Sequence, residues 1–318
     1  MTLLVVLFTL GAVELWWRAH GFGAEVQAVD EAWILNMHRL NRATTVALGT
    51  SRIRAALDPV AFRGVVGGTA PINLALPGSS PVPVLEYLAD STRYAGLVIV
   101  EVLPVVAFDA EQRSSMRVTS LLARYGRERA SPARLVEDWL RVHLLGHVVF
   151  RTTQLLPVRL VSTLRAGRLL QPDIGHMQPD GFAPKDQRSR LKLEHGDPVM
   201  GFAGPHKSVL AAAHPPNAAE FSALRKRIDR ASERVRARGG TVVLLYMAAC
   251  GRLREIEDQL YPRAQYWDLL VRETHAISIA TEDFPALSQF DCFDGSHIDA
   301  ADAPRFSVAL GRLIQGRH

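Results

Sequence analysis

The apolar positions of this chain fall into short unbroken runs separated by stretches of helical periodicity. Thr45-Val-Ala-Leu ends at Gly49, Ile72-Asn-Leu-Ala-Leu ends at Pro77-Gly78, and Gly96-Leu-Val-Ile-Val-Glu-Val-Leu is nearly all apolar. Gly240-Thr-Val-Val-Leu-Leu-Tyr-Met is a fourth run, and His275 to Ile279 a fifth. Runs of this length without polar alternation predict strands covered on both faces. Between them the pattern predicts helices over 24–43 (Val29, Trp33 and Met37 on one side), from Ser51 to Leu57 with Asp58-Pro59 as its stop, over 82–94, over 217–238 and over 301–314. Strands alternating with helices predict an α/β fold, a three-layer α/β/α sandwich around a central parallel sheet.

Residues 109–210 interrupt the alternation. They are Arg-rich and partly helical, with Pro and Gly breaks from Gln171 onward, and predict a mostly helical insertion over the ligand-binding end or a partner surface. Leu135, Trp139, Val142 and Leu145 recur at helical spacing within it. Core packing is the expected use of that stripe, and an amphipathic helix on anionic lipid or a membrane partner the alternative.

The first residues carry a different signal. Thr2 to Trp17 is apolar apart from Thr9, Gly11 and Glu14, and Trp16-Trp17-Arg18 resembles an interfacial belt. The run is shorter than the roughly 20 residues of a spanning helix. It also lacks a basic leading segment and a clear cleavage site. The expectation is an uncleaved N-terminal signal anchor or membrane helix over 1–20, in an inner membrane, with residues 21–318 forming one domain that faces the periplasm or cell exterior. The alternative is the buried first helix of a soluble protein. Glu14 is the residue at odds with an anchor, because a carboxylate in hydrocarbon is costly.

Composition narrows the function classes. The 318 residues carry a net charge of +5 and are 48% hydrophobic, enough for one large domain. A mild basic excess spread over many arginines does not make a nucleic-acid binder. Two cysteines, Cys250 and Cys292, exclude a disulfide-framework fold; they either pair in an oxidising compartment or stay as buried thiols. His143 and His147 have a zinc-compatible spacing but no companion ligand, so no metal is expected, and His206 and His275 read as structural or surface residues. No Gly-x-x-x-x-Gly-Lys or Gly-x-Gly-x-x-Gly loop is present, and no cofactor is expected.

The chemistry-bearing residues lie far apart in the chain. Ser51 follows the first strand across a Gly-Thr turn and opens a helix, where it serves either as a helix cap or as a nucleophile favoured by the helix N-terminus. A serine nucleophile needs a base within hydrogen-bond reach, and the base needs an acid to fix its tautomer. Asp294-Gly-Ser-His297 supplies both, since an Asp and a His three apart on a loop can lie side by side. In a parallel α/β sheet the ligand sits at the carboxyl ends of the strands. Ser51, Gly78, the residues after Val102, those after Met247 and the Asp294 loop all fall there.

The blocks Leu48-Gly49-Thr50-Ser51-Arg52, Asn73-Leu-Ala-Leu-Pro-Gly78-Ser79 and Asp294-Gly-Ser-His297 make the chain similar to the SGNH/GDSL hydrolase superfamily. More narrowly, it resembles the membrane-anchored bacterial branch associated with polysaccharide acetylation, over about residues 44–104 and 240–314. The resemblance implies a flavodoxin-like α/β/α fold, Ser51 as nucleophile, His297 as base and Asp294 as its partner. It also implies oxyanion donors at the Ser51 and Gly78 amides, with Ser79, Arg52 and Asn73 as further oxyanion or substrate-binding candidates; Arg52 would meet an anionic substrate or stay exposed. A serine O-acetyltransferase or acetylesterase acting on a glycan, beside a membrane-bound acyltransferase partner, is the expected activity. The departure lies after the third strand, where the family often has Gly-x-Asn-Asp and this chain reads Glu101-Val-Leu-Pro104. Glu101 is expected to support the site or, more simply, to form a salt bridge with an arginine. A non-catalytic carbohydrate-binding or assembly protein on the same fold is the alternative.

Overall fold

The computed structural model describes residues 2–20, 29–144, 148–149, 161, 164–165, 213–292 and 294–317. Five strands form one all-parallel sheet: β1 (Thr45–Leu48), β2 (Ile72–Asn73), β3 (Leu97–Glu101), β4 (Thr241–Tyr246) and β5 (Ile277–Ala280). Their order is β2-β1-β3-β4-β5, that of a flavodoxin-like doubly wound sheet. The chain is α/β, as the apolar runs predict.

The strands are apolar throughout because both faces are covered. Val46, Leu48, Val98, Val100, Val242 and Leu244 belong to one buried cluster with residues of α2 (Val29–Arg39), α5 (Val82–Ser91) and α9 (Ala218–Arg236). Their alternates Ala47, Leu97, Ile99, Val243 and Leu245 join a second cluster with α3 (Ser51–Ala56), α4 (Pro59–Val66) and α13 (Ala303–Gln315). The period of two in the strands thus divides one apolar run between two cores.

The Asp58-Pro59 junction and the second strand differ from the sequence expectation. Asp58-Pro59 ends α3 but also starts α4: the Asp58 carboxylate accepts the Val60 and Ala61 amides, and Pro59 fits a first helical turn. The second strand spans two residues rather than five. Beyond it, the Leu74 and Leu76 amides still donate to the Ala47 and Gly49 carbonyls. Between them the Ala75 N–H, on the open edge of the sheet, donates to the Asn73 side chain. The extended segment therefore continues alongside β1 until Pro77-Gly78 lies next to the turn after β1.

Within 109–210 the described chain forms α7 (Arg113–Glu128) and α8 (Pro132–His143), which pack on α2 and α5. The core-packing expectation for the α8 stripe holds only for Val142. Leu135 and Trp139 are exposed, because α8 meets α2 along the face that carries Asp138 and Val142. Leu145, His147 and His206 lie outside the described residues.

Along helix α1 (Thr2–Ala19) the apolar side chains of Leu4, Phe8, Leu15 and Trp16 are exposed. No described helix is long and apolar enough to cross a membrane. Glu14, the residue at odds with an anchor, is neutralised locally by Arg18 and accepts the Val149 amide.

Candidate active site

The switch point of this sheet lies between β1 and β3, where consecutive crossovers leave in opposite directions and open a crevice at the strands' carboxyl ends. The chain crosses that crevice in the turn Gly49-Thr50 and enters α3. Gly49 has φ +145°, a conformation L side chains rarely adopt. A Cβ there would meet the Glu101 carboxylate and the Ile53 side chain. The glycine therefore lets β3 approach the turn, and Glu101 closes on it from the end of that strand. Its carboxylate accepts the Thr50 amide at 2.5 Å and the Thr50 hydroxyl at 3.1 Å.

Thr50, not Ser51, caps α3. Its hydroxyl accepts the Arg52 amide, and Ser51 occupies the first helical position. The cap is thus supplied by the preceding residue, and the Ser51 hydroxyl is left for another partner. That partner is His297: Ser51 Oγ lies 2.8 Å from His297 Nε2. His297 Nδ1 lies 2.7 Å from Asp294 Oδ2.

The proton positions follow from the donor inventory. An ionised carboxylate only accepts, so His297 Nδ1–H donates to Asp294. The neutral ring then has a lone pair on Nε2, and Ser51 O–H donates to it. Asp294 Oδ1 also accepts the backbone N–H of Ser296 and of His297, at 2.8 and 2.7 Å. Burial pushes the Asp294 carboxyl up, but these three hydrogen bonds and the neighbouring imidazole outweigh it and hold the group below its ordinary value. The loop is pinned at its base by the Cys250–Cys292 disulfide, by a bridge between Cys292 and Ile298, and by Cys250 N–H donating to Gly295 O. Of the two alternatives for the cysteines, the structure adopts the pair.

Gly78, with φ +64°, sits at the turn that the extended β2 segment brings beside Gly49. Among the described residues, neither the Ser51 nor the Gly78 amide donates to a protein acceptor. Ser79 is buried, with its amide on Leu76 O and its hydroxyl on Pro77 O. Asn73 lies within the sheet: its side-chain oxygen holds the Ala75 amide and its carbonyl takes the Asn36 side chain. Both are engaged in shaping the β2 segment.

Arg52 requires a correction. It neither reaches toward a substrate nor lies exposed: the residue is 2% accessible and turns under the site. Its guanidinium pairs with Glu257 on α10 (Gly251–Leu260) and donates to Met247 O at 2.8 Å and Ser296 Oγ at 3.1 Å. Glu101 is likewise no arginine salt bridge, since its carboxylate holds Thr50. Burial raises the Glu101 carboxyl above its ordinary value, and the Thr50 amide, Arg52 and the Thr50 hydroxyl only partly oppose this. Sequence reasoning missed Glu257, which sits among the charged residues of an otherwise unremarked helix. The only signal was the need of a buried arginine for a carboxylate.

Neither a protein-family model nor a curated protein matches the chain.

Proposed function

We propose that this protein is a serine acyl-ester enzyme of SGNH/GDSL type, an O-acetyltransferase or acetylesterase acting on a glycan. The observation that carries the reading is the continuous hydrogen-bonded line Ser51–His297–Asp294 at the switch point of the sheet. In the reaction, His297 Nε2 takes the Ser51 proton as Oγ attacks the ester carbonyl. The tetrahedral oxyanion is received by the free Ser51 and Gly78 amides. Collapse expels the donor alcohol, which leaves with the proton from His297, and an acyl-Ser51 remains. A sugar hydroxyl or water then gives its proton to His297 and takes the acyl group, restoring the serine. Asp294 holds the tautomer and stabilises the imidazolium during both halves.

The disulfide fits an oxidising compartment outside the cytoplasm. The exposed apolar side chains of α1 fit attachment to an inner membrane facing the periplasm or cell exterior, beside a membrane-bound acyltransferase partner. One observation favours a second reading, a non-catalytic glycan-binding or assembly protein: the segment Glu101–Pro104 offers no side-chain amide to the oxyanion, a loss of on the order of 3 kcal/mol in transition-state stabilisation. Covalent labelling by a serine-directed organophosphonate separates the two. The enzyme reading expects a label on Ser51, together with turnover of a chromogenic acetyl ester that Ser51→Ala abolishes. An unlabelled Ser51 in folded protein, or full turnover in Ser51→Ala, refutes it.

A further inference from the structure

Ser51 and its acid–base pair come from opposite ends of the chain, yet they meet within hydrogen-bond distance. The side chain next to Ser51 reaches the side chain next to His297. Arg52 Nε donates to Ser296 Oγ at 3.1 Å, and one Nη donates to Met247 O at 2.8 Å and to Glu257 Oε2 at 3.2 Å. The other Nη pairs with the second Glu257 oxygen. The guanidinium is a planar fork of five donors, so fixing two edges on Glu257 and Met247 fixes the direction of the third. All of this is buried: Arg52 is 2% and Glu257 4% accessible.

We infer that Arg52 is a positioning residue for the Ser51–His297 pair, acting through Ser296 and held in place by Glu257. The inference rests on the acyl-transfer reading of that pair. Its physical content is a distance. The loop's own bonds, from the Ser296 and His297 amides and the imidazole to Asp294, keep the Asp294–His297 pair together without Arg52. Releasing Ser296 from Arg52 therefore shifts the pair as a unit relative to Ser51. Misplacement of reacting groups by about 1 Å costs up to about 100-fold in rate. The protonation behaviour of an intact Asp294–His297 pair stays as it was.

Ser296→Ala tests this in the full chain, because Arg52 and Glu257 keep each other. The readout is the rate of organophosphonate labelling at Ser51 across pH, per folded molecule. Expected are a limiting rate about tenfold lower, an unchanged midpoint of the pH dependence, and recovery to within about twofold in Ser296→Thr. A rate equal to wild type, a shifted midpoint, or a loss that only follows the folded fraction overturns the inference. Should the alanine variant not fold, Glu257→Gln, which keeps the shape and weakens the hold on the guanidinium, is read by the same criteria. If wild-type Ser51 takes no label, the enzyme reading has failed by itself. Crystal structures of wild type and Ser296→Ala then decide: a longer Ser51 Oγ–His297 Nε2 separation in the variant upholds the inference, and an equal one overturns it.

Discussion

Gly49→Ala probes the closest packing in the site. The new methyl carbon would stand 2.5 Å from Glu101 Oε2, 2.6 Å from Glu101 Cβ and 2.8 Å from Ile53 Cγ2. Two terms add. An L residue at φ +145° stores about 1–3 kcal/mol of backbone strain, and forcing a methyl into a filled interior costs about another 1–3 kcal/mol. Glu101 cannot swing aside freely, since its two oxygens hold the Thr50 amide and hydroxyl. The expected destabilisation is therefore about 2–6 kcal/mol, read from urea midpoints at fixed slope. Ser51 labelling should also fall in the molecules that remain folded, because the turn delivering Ser51 is what moves. A double-mutant cycle with Glu101→Gly isolates the contact, and a coupling of at least about 1 kcal/mol is expected. A loss below about 1 kcal/mol with unchanged labelling would refute the claim that Gly49 exists to admit Glu101.

Glu101 itself makes a prediction about pH. Its folded carboxyl titrates above the unfolded value, so the folded state holds the proton more tightly and stability declines as pH rises from the unfolded value to the folded one. Glu101→Gln should remove that decline, and thermal melts of the two proteins should differ more at pH 8 than at pH 4; a constant difference argues against it. Glu257→Ala leaves Arg52 as an uncompensated buried charge and should cost about 3–5 kcal/mol in chemical denaturation, while the apolar pair Arg52→Met with Glu257→Leu should cost much less. If the single and double changes cost the same, the pair is not what Glu257 contributes. Opening the Cys250–Cys292 disulfide, which spans a sequence separation of 42, should cost about 4 kcal/mol by loop entropy and slow Ser51 labelling; a reduced protein with unchanged melting refutes the first part.

The parts of this molecule that were legible in its sequence are those governed by local pattern. Each strand announced itself as an apolar run because both sheet faces are buried, and the parallel arrangement followed from the helices between. The pairing of Ser51 with Asp294-x-x-His297 was readable because the chemistry demands those residue types in few arrangements. What stayed hidden depends on contacts between distant positions. Arg52 looks like an ordinary polar residue on a short helix. Only the fold reveals that its inward face is answered by Glu257, 205 residues later. Asn73 looks like a site residue in the sequence, and in the fold it sits in the strand that leads to Gly78, with its side-chain oxygen on the Ala75 amide. Helix α4 was missed because Asp58-Pro59 has two meanings, a stop for one helix and a start for the next. The α8 stripe was misread because periodicity reports a face and not what covers it.

The 246-residue separation of Ser51 from His297 also has a temporal meaning. At about 5–20 residues per second, a ribosome needs roughly 12–50 s to pass from one to the other. Throughout that interval the serine is a plain hydroxyl, with no base to take its proton. On the acyl-transfer reading, any fragment that stops short of Asp294 carries a nucleophile without its base. On that reading, reactivity arrives only once the Asp294–His297 loop has been made, and shorter copies leave surrounding esters untouched.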